Sequence, residues 1–430
     1  MNDRELGHLD LDASLGEEVG SHAASRAVPR LAARGKSLEA RLLGRLITSL
    51  GDPPIEVTLW NGDVIAPAGA PPQARLLVRD RAALALLLLR PDLNFGEGYM
   101  SGRLEVEGNL VQFLEAVYRG ASAAWYDNSL LQRLMRALQQ GRRNTLAGSR
   151  ANIHHHYDIG NDFYSLWLGS TMAYTCAYFP TPSATLDEAQ EAKMRHVSQK
   201  LRLRSGEQVV EAGCGWGTLA LHMARHYGVK VKAFNISRQQ IDYARQRAKA
   251  EGLADRVEYV EDDYRNISGS FDVFVSVGML EHVGTANYHE LGRVIRRSLK
   301  SPGRGLIHSI GRNRARPMNA WIEKRIFPGA YPPSLAEMTG IFEPWGYSVL
   351  DVENLRLHYA RTLEHWLNLF EQSSAATRRM FDEQFVRTWR LYLAGSLAAF
   401  QTGDLQLFQV LFADAVNNDL PLTREYMYRA

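Results

Sequence analysis

The chain has few of the features that would place it across a membrane or outside the cell. Its longest uninterrupted apolar run, Ala82 to Leu89, is too short to cross a bilayer as a helix, which needs about 20 residues. The first twenty residues have no basic start followed by an apolar stretch, so we predict no secretory signal. Only two cysteines occur, Cys176 and Cys214, and neither has metal-ligand spacing. These absences predict a cytoplasmic protein with free thiols and no metal.

Charge of one sign is also scarce. The net charge is only +3 over 430 residues, and the sequence has no broad basic face and no base-flipping signature. Nucleic acid is therefore not an expected partner. Hydrophobic residues make up 45% and charged residues 23% of the chain, which is ordinary for a globular protein large enough for two or three domains.

Four regions follow one another along the chain. We predict a flexible leader over residues 1–36, a small α+β domain over 37–120, a basic helical connector over 121–150 and a catalytic domain over 151–430. The small domain is expected to contain a helix, a hairpin, a further strand and two helices around a Gly-rich centre. These elements are Leu38–Leu50, Ile55–Trp60 with a turn at Asn61–Asp63, Ala74–Val78, and Arg81–Arg90 and Leu110–Tyr118 around Phe95–Tyr99.

Two segments are locally basic. Residues 129–150 contain five arginines and no Asp or Glu, with leucines at helical spacing. Such a helix can lie on an anionic membrane, but it can equally be an inter-domain helix with solvated arginines. Residues 311–325 include Arg312 and Arg316, and we hypothesise that they meet phospholipid headgroups; the alternative is a solvated helix face. The run His154–His156 is not a predicted metal site, because three consecutive residues cannot all point to one ion.

From about residue 205 strands and helices alternate, which predicts a class I, Rossmann-like, mostly parallel sheet with helices on both faces. The tail, residues 365–430, is predicted to be helical with a loop around Asn417–Pro421. The predicted strands are Gln208–Ala212, Val229–Phe234, Val257–Glu261, Phe271–Val277 and Leu306–Ile310, and the helices are Thr218–Tyr227, Arg238–Glu251 and Tyr288–Leu299.

The ends of three successive strands carry a cofactor pattern. After the first strand, Glu211–Gly217 has the spacing G-x-G-x-G, which fits an amino-acid-bearing cofactor better than a pyrophosphate. After the second, Asn235, Ser237 and Gln240 offer hydrogen bonds to a ribose. After the third, Asp262–Arg265 offers acidic and aromatic groups to an adenine. Together they predict a class I methyltransferase that uses S-adenosylmethionine.

Seven segments, in family order, resemble the cyclopropane fatty acid synthases, which include the mycolic acid cyclopropane synthases. The resemblance implies transfer of a methylene from S-adenosylmethionine to a cis double bond of unsaturated phospholipid acyl chains, through a carbocation. Residues 37–120 resemble, more weakly, the lipid-binding domain of longer members. The segments are HYDIGNDFYSLWL (156–168), YTCAYF (174–179), EAGCGWG (211–217), GMLEHVG (278–284), IHSIG (307–311), FPGAYPPSL (327–335) and HYARTLEHW (358–366).

The resemblance also implies a base and its ligands. The base is a bicarbonate ion, to which His308 and Tyr359 can donate, while Glu281 can orient its protonated side or fix the tautomer of His308. Asn235 departs from the family pattern, in which Thr is commoner. The residues matching the bicarbonate site are Cys176, Glu281, His308, Ile310 and Tyr359. Those matching the cofactor pocket are Tyr174, Thr175, Gly213, Cys214, Gly215, Gly217, Asn235, Ile236, Gln240, Tyr264 and Arg265.

Two other functions remain open. A relative that makes methyl-branched chains or modifies other lipids would share the carbocation and differ in its fate. A non-catalytic lipid-binding or transfer protein would have a damaged cofactor loop or lack Glu281 or His308, and neither is the case. For the leading function we expect peripheral association with the inner face of a phospholipid membrane, and a homodimer would suit a protein that lifts lipids from it.

Overall fold

The structure, a computed structural model, describes residues 37–67, 71–126 and 159–428. The predicted leader, most of the predicted connector and the run His154–His156 lie outside the described residues. Within the described part, no helix is long and apolar enough to cross a membrane, and no cluster of three or more His, Cys, Asp or Glu side chains could hold a metal ion.

The N-terminal part folds around a small mixed sheet in the strand order β2-β1-β3-β4. The predicted hairpin is present, with Val57 opposite Ile65 in an antiparallel pair. The elements are α1 (Leu38–Ser49), β1 (Ile55–Leu59), β2 (Val64–Ile65), β3 (Ala74–Val78), α2 (Arg81–Leu89), α3 (Pro91–Met100), β4 (Leu104–Glu107) and α4 (Leu110–Tyr126).

The Gly-rich segment Phe95–Tyr99 is not a separate centre between helices, because it lies inside α3. Its glycines are needed for close packing rather than for a turn. A Cβ on Gly96 would lie 2.3 Å from the indole ring of Trp321, and one on Gly98 would lie 2.7 Å from Leu104. Helix α3 therefore joins the small sheet to the rest of the molecule.

The larger sheet has the strand order β10-β11-β9-β8-β5-β6-β7, and the predicted mostly parallel sheet is confirmed. Strands β5 to β9 pair in parallel, whereas β11 is antiparallel to both of its neighbours. The strands are β5 (Gln208–Ala212), β6 (Lys230–Asn235), β7 (Val257–Glu261), β8 (Phe271–Val277), β9 (Leu299–Gly311), β10 (Tyr347–Asn354) and β11 (Gln406–Asp414).

Helices cover both faces of this sheet, and some of them pack against the N-terminal part. One continuous cluster of buried apolar side chains runs from Leu43 and Val57 through Trp321 to Trp366 and Phe400. The helices are α5 (Asn161–Ser165), α6 (Leu186–Lys200), α7 (Thr218–Tyr227), α8 (Arg238–Ala250), α9 (Leu280–Val283), α10 (Tyr288–Ser298), α11 (Ala320–Arg325), α12 (Leu335–Met338), α13 (Arg356–Gln372), α14 (Ser374–Met380) and α15 (Glu383–Thr402).

The prediction that the tail is helical is wrong for residues 406–414. These residues form β11, and all nine are buried in the interior of the sheet between β9 and β10. A strand that is buried on both faces shows no alternation of apolar and polar residues, so periodicity cannot tell it from a buried helix.

Candidate active site

The cofactor loop lies between β5 and α7. Gly213, Gly215 and Gly217 have φ values of +85°, +53° and +81°, in the left-handed region that favours glycine. A Cβ on Gly213 would lie 2.8 Å from the Cβ of Met279. A Cβ on Gly215 would meet nothing within 4 Å, so the loop backbone is open to a ligand there, and Met279, which packs on Gly213, directly follows Gly278 in the wall of the cavity described below.

The next two strand ends lie beside this loop, because β5, β6 and β7 are neighbours in the sheet. The amide of Asn235 donates to Gly215 O at 3.3 Å and to Gln240 Oε1 at 2.6 Å, and its own oxygen accepts from Ile236 N at 2.8 Å. The residue that departs from the family pattern thus connects the strand end to the loop.

At the end of β7, the predicted acidic and aromatic groups differ in burial and in their partners. Asp263 is buried and forms an ion pair with Arg265 at 2.8 Å, and the Arg265 guanidinium lies 5.3 Å from the centroid of the Tyr264 ring. Asp262 is partly exposed at the same strand end. A glycine loop, an amide pair and an acidic-aromatic end in this order fit S-adenosylmethionine.

An apolar cavity of about 580 Å³ runs from the surroundings of Gly278 and Glu281 into the N-terminal part. The cavity brings together all five residues predicted to hold bicarbonate, together with Tyr174 and Thr175. Side chains of the small domain form much of its remaining wall, among them Leu43, Ile47, Val57, Leu76, Phe113 and Leu114.

Glu281 is buried in the cavity wall, in the first turn of α9. Its Oε1 accepts a hydrogen bond from Ile310 N at 2.6 Å, and its buried Oε2 has no hydrogen-bond partner among the described residues. Burial raises the pKa of this carboxyl to about 7, although hydrogen bonds from the backbone oppose the rise. The side chain can therefore accept or carry a proton near neutral pH.

His308 lines the same cavity, on β9. Its Nδ1 is 3.0 Å from Gln409 Nε2, and its buried Nε2 has no partner among the described residues. With the Gln409 amide in this orientation, its nitrogen donates to Nδ1 and the proton of the neutral ring is on Nε2. Burial, together with the positive charges of Lys193 and Lys200, lowers the pKa of His308 to about 3. The ring is thus a neutral donor at physiological pH.

The hypothesis that Glu281 fixes the tautomer of His308 is wrong. Gln409 makes that contact, and Glu281 instead accepts from the backbone of the strand that carries His308.

Cys176 and Tyr359 complete the predicted set. The Sγ of Cys176 lies 3.1 Å from Ala177 O, and burial raises the pKa of the thiol, so the sulfur stays protonated. The ring of Tyr359 packs 4.6 Å from that of Phe400. Both residues shape the cavity wall beside the two ionisable groups.

Three residues of the site were missed from the sequence. Gln409 lies in the segment that was predicted to be helical. Lys193 donates to Thr175 Oγ1 at 3.0 Å, and burial lowers its pKa to about 8. The hydroxyl of Tyr392 lies 2.7 Å from that of Tyr174. The only one of the three that stands out in the sequence is Gln409, because it is a single polar residue within the apolar run around residues 407–412.

Within the basic segment 311–325, Arg312 does not lie as predicted. Arg312 is 5% exposed and lines the cavity, so neither a surface contact with headgroups nor a solvated helix face describes it. Arg316 pairs with Asp404, while Arg325 pairs with Glu97 at 2.6 Å.

Comparisons with known proteins agree with this geometry. The family profile of mycolic acid cyclopropane synthetase matches residues 145–410, and that of a domain of unknown function matches residues 42–129. A probable fatty acid methyltransferase of Pseudomonas putida is 38% identical, over 87% of this chain and 96% of its own length. The cyclopropane-fatty-acyl-phospholipid synthase of Escherichia coli K12 is 36% identical, over 84% and 93%.

A solved structure shows the same relationship. The mycolic acid cyclopropane synthase CmaA1, complexed with SAH and CTAB, is 28% identical with a TM-score of 0.59, and the match covers 62% of this chain and 98% of that one. By sequence and by fold, the chain is an S-adenosylmethionine-dependent methyltransferase that belongs to the cyclopropane fatty acid synthase family.

Proposed function

We propose that the enzyme transfers a methylene from S-adenosylmethionine to a cis double bond of an unsaturated phospholipid acyl chain, and that the product is a cyclopropane. One observation carries the proposal. The apolar cavity reaches Gly278, whose neighbour Met279 packs against the cofactor loop, and its wall contains two buried polar atoms, Glu281 Oε2 and His308 Nε2, that have no hydrogen-bond partner among the described residues. An apolar substrate and a small polar base are the pair of ligands that such a cavity accommodates.

The chain's own residues serve this chemistry in two ways. S-adenosylmethionine, when bound, supplies an electrophilic methyl group to the alkene. The apolar walls exclude water, which would otherwise trap the carbocation that forms on the acyl chain. The faces of Tyr174 and Tyr359, which line the cavity, can stabilise the positive charge.

The remaining polar atoms fit a bicarbonate ion. The Nε2–H of His308 can donate to one of its oxygens, and Glu281 Oε2 can accept its hydroxyl proton. Bicarbonate, when bound, supplies the base for the proton lost before ring closure. Cys176 and Tyr359 line the same part of the cavity and limit the space around the ion.

The second candidate is methyl branching. A relative named as a probable fatty acid methyltransferase favours it. Removal of a proton from the transferred methyl is what ring closure requires, so the full set of base-binding residues favours the cyclopropane.

Mass spectrometry of unsaturated phospholipid vesicles, incubated with methyl-labelled S-adenosylmethionine, tests the proposal. We expect a labelled methylene that fragmentation places in a ring, and loss of this product in Glu281→Gln. A labelled methyl branch would refute the cyclopropane product and support methyl branching, the second candidate. Binding of the cofactor without any labelled lipid would refute both.

We further propose that helices α1 and α2 dock on the membrane. Their inner faces line the cavity through Leu43 and Leu87. Their outer faces carry four exposed leucines. Four exposed arginines lie nearby in the sequence: Arg41 and Arg45 in α1, Arg81 in α2, and Arg90 directly after α2. Apolar side chains flanked by arginine suit an anionic lipid surface. The leucines are Leu38 (66% exposed), Leu42 (40%), Leu86 (44%) and Leu89 (75%).

Vesicle sedimentation tests this surface. Leu89→Glu should lower binding to vesicles that contain phosphatidylglycerol, whereas Leu357→Glu, at a leucine 63% exposed on α13, serves as the matched control. Equal binding of both variants and of the wild type would show that the docking surface lies elsewhere.

A further inference from the structure

Arg312 occupies an unusual position for a guanidinium. It follows β9 directly, is 5% exposed and lines the apolar cavity. Its Nη1 donates to the carbonyl oxygens of Pro317 at 2.7 Å and of Arg316 at 3.2 Å, and its buried Nε has no partner among the described residues. Buried arginines are normally paired with an anion, because burial of an isolated charge is costly.

The surrounding side chains do not neutralise this charge. Arg316 forms an ion pair with Asp404, and the negative charge of Asp404 also acts on Arg312, so two guanidinium groups share one carboxylate. Within the described part of the chain, Arg312 forms no ion pair with an Asp or Glu. Tyr118 and Tyr331 lie within electrostatic range of the guanidinium, and both are neutral at physiological pH because burial raises their pKa values. Burial lowers the pKa of Arg312 to about 10, so it stays positively charged. One positive charge is left over.

The charge lies between two parts of the cavity. On one side, along the same strand, are His308 and Ile310. On the other is the apolar wall of the small domain, including Leu114 and Val117 on the helix that carries Tyr118. Four residues of extended chain separate His308 from Arg312, which corresponds to about 13 Å. An extended hydrocarbon chain spans this in about ten bonds, given a C–C bond of about 1.5 Å.

We propose that Arg312 is an internal binding site for the anionic oxygens at the polar end of the lipid substrate, while the double bond lies beside His308. The proposal rests on the proposed function, because it takes the cavity to be the acyl site. The shared ligand chemistry is a negatively charged oxygen group, supplied by a phospholipid phosphodiester or by a free fatty acid carboxylate. A charge-assisted hydrogen bond to the unused Nε would satisfy both partners.

Calorimetry on the full-length protein tests the site without turnover. The probes are monomeric oleate, oleyl alcohol and a short-chain phosphatidylglycerol. Wild type should bind at least one anionic probe about tenfold to a hundredfold more tightly than the alcohol, and Arg312→Met should remove this difference. Arg325→Met, an exposed arginine of the same segment, should retain it.

The outcomes separate the ligand sources. If Arg312→Met loses affinity for oleate alone, the bound group is a carboxylate. If it loses affinity for phosphatidylglycerol alone, the bound group is a phosphodiester. Equal wild-type affinity for the alcohol and both anions overturns the proposal, even if Arg312→Met fails to fold. Label transfer to vesicles by the wild type is measured in parallel. A missing product with preserved anion selectivity refutes the proposed function and leaves the site standing.

Discussion

Burial has opposite consequences for Glu281 and His308, the two ionisable residues of the predicted bicarbonate site that line the cavity. It raises the pKa of Glu281 to about 7 and lowers that of His308 to about 3, so the acid retains protons more strongly and the base gives them up more easily. At neutral pH the pair therefore carries less charge than its residue types would indicate. This suits the proposed binding of one small anion beside an apolar chain.

Replacing Glu281 by Gln tests this account through pH. The carboxyl has an ordinary pKa of 4.5, and its folded-state value is higher, so its contribution to stability is complete below pH 4.5 and is lost as the pH rises through about 7. The difference between these pKa values corresponds to about 3 kcal/mol. Relative to wild type, Glu281→Gln should gain up to that free energy of unfolding between pH 4.5 and pH 8, measured by urea denaturation. A constant difference across this range would contradict the pKa.

Gln409 should act on the reaction through His308. Gln409→Leu removes the donor to Nδ1, so we expect kcat to fall about tenfold while KM for S-adenosylmethionine is unchanged. The ring nitrogen chemical shifts of His308 should report a mixture of tautomers. Gln406→Leu, on the same strand but bonded to Asn354 and Gly403, is the control. Equal kcat in both variants and wild type would show that Gln409 only packs.

At the scale of the elements, helix α3 shows packing that overrides intrinsic propensity. Alanine is a better helix former than glycine, yet Gly96 faces Trp321 so closely that a methyl group has no room. We expect Gly96→Ala to lose about 1–3 kcal/mol of stability through overpacking. Gly44→Ala, in α1 with nothing within 4 Å of the added carbon, should gain about 0.5–1 kcal/mol. Thermal denaturation of both variants measures the contrast, and similar shifts would refute it.

How far the sequence predicts these elements depends on their surroundings. Strands β7 and β8 and helix α7 have the predicted bounds, because turn residues mark their ends and apolar runs mark their interiors. Strand β11 was missed because both of its faces are buried. The contact between Gln409 and His308 was missed with it, since 101 residues separate the two and no local pattern reports such a pairing.

At the scale of the whole molecule, one cavity is built from both sheets. The predicted division at residues 120 and 150 stays a prediction, as does the homodimer. The cavity wall nevertheless comes partly from α1 and α4 and partly from β9 and α15. The N-terminal part therefore contributes to the shape of the cavity that we propose as the substrate site.

Filling the N-terminal end of the cavity tests this contribution. Val117→Trp should lower kcat/KM for a long-chain lipid at least tenfold, because the larger ring occupies space that the acyl chain needs. Affinity for S-adenosylmethionine, measured by calorimetry, should not change. Val64→Trp, on an exposed part of the same small sheet, is the matched control. Full activity of Val117→Trp would show that the chain does not extend into this region.

The position of β11 has a consequence for how the protein is made. Synthesis proceeds from the N-terminus, so β9 and β10 leave the ribosome with a gap between them that only residues 406–414 can fill. Until then each strand offers an unpaired edge, the kind of surface that chaperones bind and that aggregates form on. A chain interrupted before residue 406 would contain the cofactor loop and every residue proposed to hold bicarbonate. Its sheet would nevertheless be incomplete, so we expect chaperones and proteases to recognise it as unfolded.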